Sequence, residues 1–184
     1  LVKAYEDALT NEPFLIRNEG AKATDLTLTT IGVPNYPVEK GGYGYSIERL
    51  YYTTSGDPTD PRTVKVGDRL VTVLRVTPNS SVGARLMVND PLPAGFEIDN
   101  PNLLASGDIR EMDWLKLAET QNAEFRTDRF LAAVDWRSDQ SFDLAYIVRA
   151  VSPGEFHQPA ATVEDMYRPQ YRARTSENRV SVTQ

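Results

Sequence analysis

Apolar and polar residues alternate along this chain in short runs, the pattern of strands with one covered face. The clearest run sets Phe142, Leu144, Tyr146 and Val148 on one side, with Asp143 and Arg149 among the residues on the other. Leu70, Thr72, Leu74 and Val76 form a second row opposite Val71 and Val73, so this strand is predicted to be central and covered on both faces. Leu86 with Val88, the row Phe130, Ala132, Val134 and Trp136, and Val180 with Val182 predict further strands. Turn chemistry separates them at Ser55-Gly56-Asp57-Pro58, Val66-Gly67-Asp68, Pro78-Asn79-Ser80-Ser81, Pro93-Ala94-Gly95 and Ser152-Pro153-Gly154.

The period changes once. Ile109, Met112, Leu115 and Ala118 fall three apart, which predicts a short amphipathic helix over 108–119, with Asp108 as N-cap and Glu111 completing a capping box. The fold class that follows is mainly β, an antiparallel β-sandwich with one short inserted α-helix. Ahead of it, 13–18 and 25–33 suggest two strands joined by Glu19-Gly20. The Pro- and Gly-dense stretch that follows, including Gly41-Gly42-Tyr43-Gly44, suggests a connector with a hinge or turn. A boundary is therefore expected near residue 38, with 1–37 as returning strands of a preceding β domain and 38–184 as a self-contained unit.

Composition narrows the partners more than the fold. The 184 residues are 40% hydrophobic and 25% charged, enough for an ordinary core. A net charge of −6 repels a nucleic-acid backbone, so no nucleic-acid partner is expected. Arg168, Arg172 and Arg174 gather near the end, but Pro169 and Glu177 break the cluster into a solvated or interface edge. The absence of cysteine excludes disulfides and thiolate chemistry while leaving the redox compartment open. Lys3, Glu6 and Asp7 suit neither a signal-peptide core nor a membrane span, and a start without Met fits a piece of a longer chain.

Little in the chain suggests catalysis. The single histidine, His157, sits in a Pro-flanked stretch that reads as a surface loop, and no Gly-x-Ser-x-Gly elbow accompanies it. Glu164 and Asp165 are adjacent, so on a strand they point to opposite faces. Asp128 is expected to pair with Arg126 or Arg129 instead of working with Asp135. No catalytic residue, metal site or cofactor is expected. The run Val163-Glu164-Asp165-Met166-Tyr167-Arg168-Pro169 stands out because a thioether and a phenol lie inside a polar, Pro-terminated stretch. Two readings stand side by side: an exposed contact knob, or side chains folded back on their own sandwich.

Four phrases occur in order: Asp90-Pro91-Leu92-Pro93-Ala94-Gly95-Phe96-Glu97, Asp128-Arg129-Phe130, the stretch from Ala145-Tyr146 to Pro153-Gly154, and Glu164-Asp165-Met166-Tyr167-Arg168-Pro169. Together they resemble the last macroglobulin-like domain, MG10, of bacterial α2-macroglobulins, while 1–37 match more loosely a CUB-like domain that brackets the thioester domain. The resemblance implies a non-catalytic domain of a periplasmic protease-trapping inhibitor, anchored to the inner membrane as a lipoprotein. Its partners would be the helical thioester domain of the same parent chain and, through the parent, target proteases. Met166 and Tyr167 match a Met-Tyr pair that helps cover the thioester, with Glu164, Asp165 and Arg168 as flanking contacts. The alternative it leaves open is an interaction scaffold in a thioester-free relative, joined to a periplasmic complex near cell-wall enzymes.

Overall fold

The structure, a computed structural model, describes residues 15–27, 29, 38–99 and 112–184. The chain divides into two units, Leu1–Pro34 and Asn35–Gln184. In the first, the described residues 15–27 and 29 form no strand, contrary to the sequence expectation; the rest of 13–33 lies outside the described residues. Their local order is a bend in which Asn18 Oδ1 accepts from the Gly20 amide at 2.9 Å and Asn18 Nδ2 donates to the Lys22 carbonyl at 2.8 Å. Leu15 and Leu26 are exposed there. A strand needs a neighbouring ladder to be stable, and the described segment has none.

In the second unit the described strands are β1 (Gly41–Tyr43), β2 (Tyr45–Thr53), β3 (Val64–Lys65), β4 (Arg69–Pro78), β5 (Ala84–Pro91), β6 (Phe96–Ile98) and β7 (Asn122–Phe125). They continue as β8 (Arg129–Trp136), β9 (Phe142–Ala150), β10 (Gly154–Gln158), β11 (Thr162–Asp165), β12 (Arg172–Arg174) and β13 (Asn178–Thr183). One sheet has the order β1-β12-β11-β5-β8-β7, a second β2-β4-β9-β6, and a three-stranded sheet β10-β13-β3. All pairs are antiparallel except β13 with β3. Alternation puts Leu86, Val88, Phe130, Ala132, Val134 and Val163 of the first sheet against Leu70, Leu74, Val76, Phe142, Leu144, Tyr146 and Val148 of the second. Val64, Val180 and Val182 join the same core from the third sheet.

Strand β4 is covered on both faces as its sequence predicts, because Val71 and Val73 pack outside the sandwich with Met112 and Ile147. The segment that covers them is not the helix expected there. Asp108 and Glu111 lie outside the described residues, and from Met112 onward the chain makes one turn, Leu115 N to Met112 O at 3.0 Å, and then runs extended. The edge of β9 captures it: Ala118 N donates to Asp143 O at 3.0 Å, Asp143 N to Lys116 O at 2.9 Å, and Lys116 N to Asp143 Oδ2 at 3.1 Å. Met112 and Leu115 face the sheet while Trp114 packs its ring, tilted, 4.8 Å from that of Tyr52, so the three-residue spacing reflects a winding cover and not a helical stripe.

Two further sequence readings change. Gly41-Gly42-Tyr43 is strand and not connector: a Cβ on Gly42 would meet Ala173 Cβ at 2.6 Å and Tyr45 O at 2.5 Å, so glycine there permits close packing against β12. Only Gly44, at φ +81°, turns the chain into β2. His157 lies in strand β10 opposite Arg179 and not in a loop, with its side chain exposed.

Between the sheets sits a buried polar network. Arg49 of β2 pairs with Asp90 of β5 and donates to the Pro159 carbonyl at 2.8 Å, while the Tyr146 hydroxyl of β9 donates to Asp90 Oδ2 at 2.6 Å. Gln158 Nε2 donates to the Tyr51 hydroxyl beside it. Burial works against the Arg49 charge, but the adjacent Asp90 outweighs it and holds the guanidinium protonated. The network joins strands of all three sheets at one point of the interior.

Candidate functional site

Strand β11 runs between β12 and β5, with Val163 opposite Val88 and Asp165 opposite Leu86. The two-residue period turns Val163 and Asp165 inward and Glu164 outward, and Asp165 is 1% exposed. Residues 166–171 then form the loop that returns the chain into β12.

The buried Asp165 carboxylate builds that loop from beneath. Its Oδ1 accepts the Tyr167 amide at 3.0 Å and the Arg168 amide at 3.2 Å, and its Oδ2 accepts Arg168 Nε at 2.7 Å, with Nη2 at 2.6 Å. The hydrogen bond to Asp165 is what raises the Arg168 pKa above its ordinary value. The backbone closes the same turn: Asp165 N donates to Tyr171 O at 3.0 Å and Tyr171 N to Arg168 O at 2.8 Å. Met166 N donates across to Arg85 O of β5 at 2.9 Å. The Arg168 guanidinium lies 5.0 Å from the Tyr171 ring centre, and that ring packs 5.1 Å from Tyr43. Gly44 gives Tyr171 its room, since a Cβ there would approach the ring to 2.4 Å.

Above this fixed frame the two large side chains project outward. Met166 is 48% exposed and Tyr167 76%. Beside Tyr167 is a notch lined by Gly83, Arg85, Asp135, Arg137 and Arg168. Two parallel bonds of 2.7 Å join Arg85 to Asp135; they keep the Asp135 carboxyl below its ordinary range and, with the Tyr167 hydroxyl nearby, the Arg85 guanidinium above its own.

The tip can therefore offer an apolar, aromatic contact of preset shape, with a phenol hydroxyl and guanidinium groups at its rim. Met166 and Tyr167 stand together on it, Glu164 is exposed on the outer sheet face opposite Met87 and Arg172, and Arg168 is spent on its own turn. Asp165 is turned inward and offers no surface of its own. What sequence reasoning missed was that inward role. The signal lay in the alternation: Asp165 is in phase with buried Val163, as Asp90 is with Leu86 and Val88, so each was marked as a carboxylate on a core face. The expected Asp128–Arg129 pair is present on the surface, at 2.8 Å.

Comparison with known proteins gives the arrangement its relatives. A family model, the bacterial alpha-2-macroglobulin MG10 domain, matches residues 44–170. The alpha-2-macroglobulin of Xylella fastidiosa (strain 9a5c) is 36% identical over 152 residues, 77% of this chain and 9% of that protein. That of Escherichia coli (strain K12) is 33% identical over 167 residues, 86% of this chain and 10% of that protein. The chain thus spans about a tenth of the length of these relatives. Among solved structures, native Escherichia coli alpha-2-macroglobulin from domain MG7 to the C-terminus superposes with a TM-score of 0.74 at 32% identity, over 83% of this chain and 25% of that one. Salmonella alpha-2-macroglobulin reacted with methylamine gives 0.74 at 33% identity, over 83% and 10%. The matched span runs from the turn into β2 to the loop that carries Met166 and Tyr167, and on that span the chain belongs to the bacterial alpha-2-macroglobulin MG10 domain family.

Proposed function

We propose that this chain is a non-catalytic latch within a protease-trapping alpha-2-macroglobulin of the periplasm, in a parent anchored to the inner membrane. Its Met166-Tyr167 tip docks on a helical domain of the same parent and covers a thioester there until a protease cuts the bait segment. The observation that carries the reading is the contrast at the tip: backbone amides of 166, 167 and 168 all bonded inside the domain, beneath two large side chains that are exposed. An acyl thioester lasts only while water and amines are kept from its carbonyl, and a thioether beside a phenol ring makes a bulky, mostly apolar lid. Noncovalent contact suffices, because a bias of a few kcal/mol holds the lid down and domain repacking lifts it. That a Salmonella relative is described reacted with methylamine, and an Escherichia coli one activated by porcine elastase, supports carrying amine- and protease-triggered chemistry to the parent.

The test is methylamine uptake by the uncleaved parent protein. Met166→Ala with Tyr167→Ala is expected to speed uptake about tenfold, the equivalent of ~1.4 kcal/mol of lost closure. Equal rates refute the latch. No uptake by either protein refutes the thioester role and leaves the tip as a docking contact of a scaffold.

A further inference from the structure

We infer that Asp165 is the positioning residue of the Met166-Tyr167 tip: its buried carboxylate presets the loop shape in which both side chains are presented. The functional weight of this inference rests on the latch reading above; the structural claim stands by itself. Loops that carry exposed side chains ordinarily leave their amides to water. Here the amides of Tyr167 and Arg168 both converge on Asp165 Oδ1, at 3.0 and 3.2 Å, while Arg168 is folded back onto Oδ2 at 2.7 Å. The carboxylate is 1% exposed and lies in register with Leu86 in a covered sheet, so the element that holds it is itself fixed.

An aspartate here does two things that no apolar residue at the same inward position could do. It satisfies the amides that a tight turn would otherwise strand, and it holds Arg168 down against Tyr171. Met166 and Tyr167 are then left as the loop's outward apolar surface, with Met166 N anchored to Arg85 O. A contact whose shape exists before docking does not spend binding free energy on ordering the loop. The residue thus acts on a partner it never touches.

The experiment compares this chain with its Asp165→Asn and Asp165→Ala variants by amide hydrogen exchange. Asparagine keeps an oxygen for the two amides and loses the ion pair; alanine loses both. Protection of the Tyr167 and Arg168 amides is expected to fall at least tenfold in Asp165→Ala and to be largely kept in Asp165→Asn. The amide of Val73, deep in β4, should lose clearly less protection than those of 167 and 168 in Asp165→Ala, whereas a purely general loss of stability would lower all three alike. Unchanged protection at 167 and 168 in Asp165→Ala overturns the inference, as does an equal fall at Val73. In the parent, Asp165→Ala is expected to raise methylamine uptake toward the rate of the Met166→Ala, Tyr167→Ala double variant. If the double variant is fast and Asp165→Ala is not, positioning fails while the latch survives. If neither is fast, the latch fails, and the exchange data alone decide whether Asp165 shapes the loop.

Discussion

The Arg49, Asp90 and Tyr146 network invites a quantitative test, because its charged members are 5% and 1% exposed and meet across the sandwich. Asp90→Ala would leave the Arg49 guanidinium buried with only the Pro159 carbonyl, and the Tyr146 hydroxyl without its acceptor. Breaking a buried ion pair from one side costs about 3–5 kcal/mol, since the remaining charge keeps its desolvation penalty and loses its attraction. For a domain of this size that is a fall of roughly 6–20 °C in Tm, at ~2–4 °C per kcal/mol. Removing the whole network is a different perturbation. Arg49→Met, Asp90→Leu and Tyr146→Phe together abolish the buried charges and polar hydroxyl at similar volume, and should recover more than half of the single-site loss. Urea unfolding followed by tryptophan fluorescence, to which Trp136 contributes from a ring 4.6 Å from Phe142, measures both free-energy changes. A loss below about 1 kcal/mol for Asp90→Ala, or no recovery in the triple variant, would refute the claim that this network is desolvated and mutually compensating.

Burial raises the pKa of both Tyr51 and Tyr146, and neighbouring Asp90 raises them further. The unfolded chain therefore gives up these protons near pH 10 while the folded one still holds them, so the stability these two groups contribute is fully present below pH ~10 and is lost as pH rises beyond it; Tyr51→Phe with Tyr146→Phe should lessen the fall of the urea midpoint between about pH 10 and 11.5. Gly44→Ala and Gly67→Ala separate strain from collision: both have positive φ, +81° and +96°, but only at Gly44 would the new Cβ strike a ring, Tyr171 at 2.4 Å. Gly67→Ala is expected to cost about 1 kcal/mol and Gly44→Ala about 2–4 kcal/mol in the same unfolding assay, and equal costs would mean that Tyr171 is free to move aside.

The strand content was legible because alternation is local. A residue's face within a strand depends only on its parity, so Phe142, Leu144, Tyr146 and Val148 declared their side without reference to any partner. The family phrases, and Met166 and Tyr167 within them, were equally readable in the chain itself. The segment after Met112 was not, because its spacing suited a helix and only the free edge of β9, with Asp143 offering its backbone and carboxylate, drew it out extended. Nor could the glycine at 42 be told from a hinge before β12 came to lie against it. The inward carboxylates followed the same rule. Parity placed Asp90 and Asp165 on a core face, but whether each would find partners depended on Arg49 reaching across from another sheet and on the chain turning back through Arg168. Local pattern thus determined which way side chains point, whereas the pairing of buried charges, which must be satisfied by groups distant in sequence, was decided only when the sheets met.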